Sequence, residues 1–257
     1  MKEILITNDD GFNAKGLKAL IEAVQDLGRV TVVAPATEKS ACAHSLTLTR
    51  PLRFMQVDDD FYKLDDGTPS DCVYLALNSL YPNKKPDLLI SGINRGSNMG
   101  EDITYSGTVA GAMEGIIHDV PSIAISQVIT DWNLDVEDSY ILAMKVIRDM
   151  VSKIFADEFP LAHRELLNIN VPANVKELEY QVTYAGYRLY ANDAQVHRNP
   201  RGEEHWWLGL HPLSYKPRAV EGVCDFEAIE KKKVSLTPVM VDLSAYKSMK
   251  KLEAFLE

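Results

Sequence analysis

The chain begins with two short apolar segments separated by a segment whose apolar residues recur at helical spacing. Residues 4–6 are apolar, and apolar residues then recur at helical spacing from Leu17 to Leu27, with Gly28 placed to end the helix. Residues 30–35 form the second apolar run. Two buried strands joined by one helix pair in parallel through a right-handed crossover. The start of the chain therefore predicts an α/β fold with a mostly parallel sheet.

The alternation of helices and strands continues along the chain. The further predicted helices are residues 71–80, 108–118, 136–155 and 244–256, and the further predicted strands are residues 87–92, 121–126, 166–172 and 234–238. The helix that starts near Asp71 has Thr68 as its cap and Pro69 in its first turn. Residues 184–207 carry few helix signals and predict a projecting hairpin. We expect residues 1–130 to form a core that residues 131–257 complete.

Charge and cysteine content narrow the class of protein. The 257-residue chain has a net charge of −10, which argues against a polynucleotide-binding protein. Its three cysteines are widely spaced and form no CxxC pair, as expected of reduced thiols that fill structure. The first residues reach charge too soon for a signal peptide, and no apolar stretch approaches membrane-spanning length. These features predict a cytoplasmic protein.

Three loops of the predicted sheet carry the candidate chemistry. Asp9 and Asp10 follow the first strand, a loop of small and hydroxyl residues at 36–45 follows the second, and residues 94–107 follow the strand that ends at Gly92. Ligands bind at the carboxyl ends of parallel strands, so the three loops should open on one edge. Adjacent carboxylates repel each other, and such a pair at the end of a strand favours a bound cation.

The third loop runs into a helix. Its glycines allow close approach of a ligand, and Ser106-Gly107-Thr108 at the helix start offers amides, hydroxyls and a favourable dipole to a phosphate. The simpler interpretation is that Ser106 or Thr108 caps its own helix. The loop is neither a Walker motif nor GxGxxG, which argues against ATP hydrolysis of the Walker type.

Four motifs occur in a fixed order along the chain. The first motif is Asn8-Asp9-Asp10-Gly11, and the second is residues 32–35 together with Ser40 and residues 45–47. The third is residues 67–72, and the fourth runs from residues 91–94 through Asn98 to residues 105–109. Residues 168–172 and 235–238 continue the pattern. This set resembles the SurE family, the stationary-phase survival nucleotidases. The departures are Ala36 where many members have Asp, Ala41 where Gly is frequent, and Ser97 where Pro is frequent. None of the three is a proposed ligand, so we expect these departures to affect loop geometry or substrate preference rather than the metal site.

The resemblance implies a metal site and a phosphate site. The metal ligands it implies are Asp9, Asp10, Ser40 and Asn94, and the phosphate-binding residues are Asn98, Ser106, Gly107 and Thr108. Two carboxylates, a hydroxyl and an amide oxygen are hard donors, which favours one Mg²⁺ or Mn²⁺ per subunit over zinc or copper.

These residues predict a metal-dependent phosphomonoesterase with a Rossmann-like core, a 5'-nucleotidase that cleaves nucleoside monophosphates. We expect Asp9 and Asp10 to be its catalytic residues and a metal-activated water to attack phosphorus. An aspartyl-phosphate route, as in haloacid-dehalogenase-type phosphatases, needs a second acid two residues on, and Gly11 and Phe12 stand there instead. His44 is either a proton donor or a loop histidine satisfied by backbone. The alternative function is a nucleotide- or phosphate-sensing protein without turnover.

The C-terminal half predicts self-association. Residues 184–207 and the last helix are too apolar for a free arm. The resemblance also implies a homodimer or homotetramer with exchanged C-terminal elements. Trp206 and Trp207 are assigned to a core or a subunit contact. A zinc site is not expected at the histidines of this region, which are His197, His205 and His211, because they lack cysteine partners and regular spacing.

Overall fold

The computed structural model describes residues 1–130, 140–191, 193–209 and 212–257. The strands within these ranges are Glu3–Thr7 (β1), Arg29–Pro35 (β2), Arg53–Asp58 (β3), Phe61–Asp65 (β4), Leu88–Arg95 (β5), Ser122–Gln127 (β6), Glu165–Val171 (β7), Tyr180–Tyr184 (β8), Tyr187–Tyr190 (β9), Asp193–Arg198 (β10), Glu204–Gly209 (β11), Pro212–Lys216 (β12), Val223–Cys224 (β13) and Val234–Met240 (β14). The α-helices are Lys15–Val24 (α1), Pro69–Ser79 (α2), Gly107–Ile117 (α3), Ile141–Ala156 (α4), Asp225–Glu230 (α5) and Tyr246–Leu256 (α6). A 3₁₀ helix covers Gly100–Thr104. None of these helices is long and apolar enough to cross a bilayer.

Ten strands form one sheet in the order β13-β8-β14-β7-β6-β5-β1-β2-β4-β3. The run from β7 through β6, β5, β1 and β2 to β4 is parallel throughout, and β3 and β14 join it antiparallel at β4 and β7. The predicted α/β class with a mostly parallel sheet is confirmed. β1 lies between β2 and β5, so its carboxyl end opens near the middle of the sheet edge.

Helices cover both faces of this sheet. In β1, Ile4 and Ile6 belong to the apolar layer that contains α1 and α4, whereas Leu5 belongs to the opposite layer with α2 and α3. Side chains of a strand alternate between its two faces, so a continuous apolar run serves both layers. This arrangement explains why the first strand has no polar residue between Ile4 and Ile6.

The first two predicted helices occur, with ends that differ by a few residues from those predicted. α1 ends at Val24, three residues before Leu27, because the chain must turn there to bring Gly28 and Arg29 beside β1. The amide of Arg29 donates to the carbonyl oxygen of Lys2 at 2.8 Å. α2 begins at Pro69 with the predicted Thr68 cap, and Asp71 completes a capping box.

β5 is longer than predicted and changes the setting of one candidate ligand. The strand continues past Gly92 to Arg95, and its register with β6 shifts between Ser91 and Asn94. Asn94 therefore lies in the irregular end of a strand rather than in the loop that follows it. The irregularity lets a strand residue remain at the edge where the loops converge.

The C-terminal half holds more strands than were predicted. The hairpin expected at 184–207 is a ribbon of β10 and β11, and a second ribbon pairs β9 with β12. The predicted strand at 234–238 extends to Met240 as β14, and the last helix starts at Tyr246. The helix predicted over 136–155 is described from Ile141, and its expected first residues, 136–139, lie outside the described ranges.

Candidate active site

Asp9 and Asp10 lie at the carboxyl end of β1. Only 4% of the surface of Asp9 is exposed, and Asp10 is partly buried. The turn that follows is closed by Asn8, whose Nδ2 donates to the carbonyl oxygen of Gly11 at 3.0 Å. The two carboxylates are thus fixed at the edge of the central strand.

The loop after β2 is attached directly to this pair. The amide of Lys39 donates to the carbonyl oxygen of Asp9 at 2.7 Å. The next residue, Ser40, donates its hydroxyl to Oε1 of Glu38 at 2.7 Å. A hydroxyl that gives its proton to a carboxylate keeps its lone pairs for another partner, so Ser40 is arranged as an oxygen donor to a cation.

Asn94 enters the site from the end of β5. Its Nδ2 donates to the carbonyl oxygen of Gly96 at 2.9 Å. Because the amide nitrogen is engaged in this turn, the amide oxygen is the atom that Asn94 can offer to a cation.

Asn98 is held by a buried polar cluster. Its amide donates to Oδ1 of Asn170 at 2.8 Å, and its Nδ2 donates to Oγ of Ser126 at 2.8 Å. The carbonyl oxygen of Asn98 accepts from Nδ2 of both Asn168 and Asn170 at 2.9 Å. Asn168, Asn170 and Ser126 were not predicted to have a role at the site. The available signal was the pair of asparagines two residues apart on one face of an apolar strand.

The start of α3 packs against Asp9. Oγ of Ser106 accepts from the amide of Val109 at 3.0 Å, so Ser106 caps its own helix, as the simpler interpretation expected. Thr108 is fully buried and donates its hydroxyl to Oδ1 of Asp9. Gly107 lies between them against the same carboxylate. The phosphate-binding roles of these three residues stay predictions.

Without a bound cation, the negative charges of Asp9 and Asp10 are electrostatically unfavourable in their buried position. Burial, followed by the charge of Asp9, raises the pKa of Asp10 to about 7, and the Arg95 amide and side chain oppose this only in part. Burial also raises the pKa of Asp9, against the hydrogen bond from Thr108. A cation bound between the two would offset both effects. The hard oxygen donors around them fit Mg²⁺ or Mn²⁺, so the residues present suit the predicted metal.

His44 has a different partner from either expectation. Its Nε2 lies 2.7 Å from Oε2 of Glu114, a buried carboxylate in α3, and Nε2 of His118 lies 3.0 Å from the other oxygen. His44 is therefore paired with a carboxylate, not with backbone, and it does not line the cleft beside Asp9. Glu114 was missed, although an acid within an apolar helix was a visible signal.

The candidate residues converge on one cleft of about 680 Å³. Six of the eight predicted site residues line it, and Gly107 and Thr108 lie beneath, against Asp9. The lining residues are Asp9, Asp10, Glu38, Ser40, Ala41, Asn94, Arg95, Ser97, Asn98, Asp102, Tyr105, Ser106, Tyr190 and Leu208. Tyr190 and Leu208 reach the cleft from the C-terminal strands, which no local motif predicted.

Two of the three C-terminal histidines lie in the part of the chain that the structure describes. His197 and His205 face each other across the β10–β11 ribbon in exposed positions, and His211 lies outside the described residues. Among the residues that the structure describes, no three His, Cys, Asp or Glu side chains are grouped to hold a metal. Trp206 and Trp207, predicted in a core or a subunit contact, are largely exposed in the single chain.

The fold and the cleft define a Rossmann-like α/β protein with a candidate cation site at the carboxyl edge of its sheet. The family model for the survival protein SurE matches residues 4–192, and the chain belongs to the SurE family.

Relatives in this family match the chain over nearly its full length. The 5'-nucleotidase SurE of Sulfurimonas denitrificans is 62% identical over 263 residues, with 99% of each chain covered. The protein of the same name from Nitratiruptor is 60% identical over 259 residues, with 100% of each covered. The crystal structure of the SurE protein from Aquifex aeolicus superposes with a TM-score of 0.81 at 40% identity, covering 99% of this chain and 100% of that one.

Proposed function

We propose that this chain is a 5'-nucleotidase that hydrolyses nucleoside monophosphates to nucleoside and phosphate. The observation that carries the proposal is the buried Asp9–Asp10 pair, with Ser40 and Asn94 beside it on one cleft. Holding a phosphate needs only amides and cations, so clustered carboxylates favour a metal-dependent enzyme over a phosphate sensor. The names of the full-length relatives support the same activity.

Asp9, Asp10, Ser40 and Asn94 would hold one Mg²⁺ or Mn²⁺. When bound there, a divalent cation withdraws charge from a phosphate and lowers the pKa of water. Asp9 or Asp10 would orient the attacking water. Asn98 and the start of α3, with Ser106, Gly107 and Thr108, would surround the phosphate, since the helix dipole favours negative charge at that end.

The charge of the cleft favours monophosphates over triphosphates. Its lining includes four acidic residues, Asp9, Asp10, Glu38 and Asp102, and Arg95 is the cation among them. Asp102 is paired with Arg188, so the repulsion of further phosphates would come from Asp9, Asp10 and Glu38. Faster release of phosphate from ATP than from AMP would contradict this preference.

The remaining proposals concern the whole chain. We assign catalysis to residues 1–130, and residues 131–257 complete the core, since β7, β8, β13 and β14 join the same sheet. The cysteines are free thiols, and Cys72 and Cys224 are buried, which supports a reducing, cytoplasmic setting.

We also propose a homodimer or homotetramer, and no polynucleotide or membrane partner.

The test of the function is phosphate release by metal-stripped protein. We expect turnover of AMP to appear only on addition of Mn²⁺ or Mg²⁺, and Asp9→Asn to reduce it by roughly a hundredfold or more at limiting metal. Asp59→Asn, which removes an equal charge from an exposed turn, is the matched control. Tight nucleotide binding without turnover under every divalent metal would instead establish the sensor.

A further inference from the structure

One buried carboxylate outside the cleft binds two histidines. Glu114 lies in α3, and only 4% of its surface is exposed. Its Oε2 lies 2.7 Å from Nε2 of His44, and its Oε1 lies 3.0 Å from Nε2 of His118. A carboxylate accepts hydrogen bonds, so both ring nitrogens are the donors. A buried carboxylate needs such donors, because burial without them costs free energy.

The two histidines reach Glu114 from different parts of the chain. His118 stands at the C-terminal end of the same helix, so its hydrogen bond stays within α3. His44 belongs to the loop at 36–45 that follows β2, so its hydrogen bond joins this loop to α3. Of the two bonds, only that of His44 connects separate elements.

The segment between Ser40 and His44 has a strained backbone. Ala41 and Ala43 have φ angles of +58° and +53°, in the left-handed region that disfavours residues with a side chain. The amide of Ala43 donates to the carbonyl oxygen of Tyr105 at 3.0 Å. Such a conformation persists only where the surrounding contacts hold it. The position of Ser40 therefore depends on the attachments at both ends of this segment.

The two attachments lead to the same part of the site. Before the strained segment, the amide of Lys39 donates to the carbonyl oxygen of Asp9 at 2.7 Å. After it, His44 donates to Glu114 in α3, the helix whose Thr108 donates to the carboxylate of Asp9. A hydrogen bond to a buried carboxylate is stronger than one to a neutral acceptor. The bond of His44 thus fixes the loop to the helix that already contacts Asp9.

We propose that His44 is a positioning residue for the metal site, whose bond to Glu114 keeps Ser40 beside Asp9 for a shared cation. We call this bond the His44 latch. The inference rests on the proposed function, since that proposal assigns Ser40 to the cation. Without the latch, the strained segment relaxes and the protein binds metal more weakly, while the core stays folded.

Calorimetric titration with Mn²⁺ tests the latch. In His44→Ala we expect the Kd for Mn²⁺ to rise about tenfold, with kcat for AMP at saturating Mn²⁺ within about twofold of the original. His44→Gln keeps an N–H donor at a similar reach and should restore most of the affinity. Unchanged Mn²⁺ affinity in His44→Ala, or an equal loss in His44→Gln, would overturn the proposal.

His118→Ala is the matched control. It removes a hydrogen bond to the same carboxylate, and the side chains of His44 and His118 are exposed to similar extents, 29% and 25%. We expect both alanine variants to lower the urea midpoint by similar amounts, because each leaves one oxygen of Glu114 without its donor. Only His44→Ala should weaken Mn²⁺ binding. An equal loss of Mn²⁺ affinity in both variants would mean that Glu114 stabilises the fold alone, and the latch would be refuted.

Limited digestion of the metal-free protein with trypsin separates this inference from the proposed function. Trypsin cleaves after lysine, and Lys39 directly precedes Ser40 in the loop. We expect cleavage at this bond, mapped by mass spectrometry, to be about fivefold faster or more in His44→Ala and unchanged in His118→Ala, because cleavage requires local opening. If no substrate is turned over while cleavage follows this pattern, the nucleotidase proposal fails and the latch stands. Equal cleavage rates in the original protein and His44→Ala refute the latch.

Discussion

Gly107 determines how closely α3 approaches the carboxylates. A methyl group added at this position would lie 2.7 Å from Cβ of Asp9, 2.9 Å from its Oδ2 and 3.0 Å from Sγ of Cys42. Only a residue without a side chain lets the hydroxyl of Thr108 reach Asp9. The motif residue was predicted to contact phosphate, and the structure shows in addition that it sets the position of a candidate metal ligand.

Replacing Gly107 should disturb the metal site. In Gly107→Ala we expect the affinity for Mn²⁺, measured by titration calorimetry, to fall about tenfold or more because Asp9 must shift. The matched control is Gly115→Ala in the same helix, whose added methyl would meet Oγ of Ser122 at 2.3 Å, away from the cleft. That variant should lose stability yet bind Mn²⁺ normally when folded. Equal metal affinity in the two variants would contradict this role of Gly107.

The raised pKa of Asp10 predicts an unusual pH dependence of the metal-free protein. Its folded pKa of about 7 lies above the ordinary 3.8, so the folded state keeps a proton that the unfolded state loses between those values. The free energy of unfolding should therefore decline by roughly 2–4 kcal/mol as the pH rises from 4 to 7.

Denaturant titrations at several pH values measure this contribution. Asp10→Asn removes the titrating group, so its stability should decline less over the same interval. Saturating Mn²⁺ at pH 7 should restore stability to the original protein, because the cation offsets the buried charges. The same slope in the original protein and in Asp10→Asn would refute the assignment to Asp10.

At the scale of elements, the capping box of α2 also fastens a loop. Asp71 accepts from the amide and the hydroxyl of Thr47 at 2.8 and 2.7 Å, and from the amide of Thr68 at 2.9 Å. The hydroxyl of Thr68 donates to the carbonyl oxygen of Ser45 at 2.8 Å. The cap therefore holds the segment that follows the Ser40 loop.

Removing this carboxylate should cost stability. We expect Asp71→Ala to lower the free energy of unfolding by about 2–4 kcal/mol, since three donors lose a buried, charged acceptor. Asn78→Ala changes an exposed residue of the same helix and should stay within about 0.5 kcal/mol of the original. Urea denaturation compares the two, and similar midpoints would show that the cap does not fasten the loop.

Elements with local signals were predictable, and elements that depend on distant partners were not. The α2 cap and the buried strands of the parallel sheet follow from residues within one element. β3 and β4 were missed because their edge hairpin includes the consecutive acids 58–60 and lacks a continuous apolar run. The six-residue α5 is too short to show a helical period. The pairing of β9 with β12 depends on residues more than 20 positions apart.

The same distinction holds for the candidate site. The convergence of Asp9, Ser40 and Asn94 could be predicted because the carboxyl ends of parallel strands share an edge. Their supporting partners could not, since Asn170 and Tyr190 come from strands far along the chain. No spacing rule connects those positions to the loops that they meet.

At the scale of the whole molecule, α6 buries none of its residues against the rest of the described chain. All of its residues are exposed, and its apolar side chains include Met249, Leu252 and Phe255. An amphipathic helix gains most of its stability from packing its apolar face. We infer that a second copy of the chain covers this face.

Two charge substitutions test that inference. We expect Leu252→Asp with Phe255→Asp to lower the assembly state measured by light scattering at micromolar concentration. Lys250→Asp, on the same exposed helix, should leave it unchanged. A monomeric original protein, or an unchanged assembly in the double variant, would contradict the inference.

The two outermost strands of the ten-stranded sheet restrict how copies can associate. At one edge of the sheet, the edge strand β13 is only two residues long. At the other, β3 has an irregular register with β4 between Gln56 and Asp58 and ends at three consecutive aspartates, 58–60. Short, bent or charged outer strands give a second copy little main chain to pair with, so the sheet resists growth into a continuous fibre. We therefore expect the proposed self-association to use the β10–β11 ribbon and α6, where side chains can limit it to a closed number of subunits.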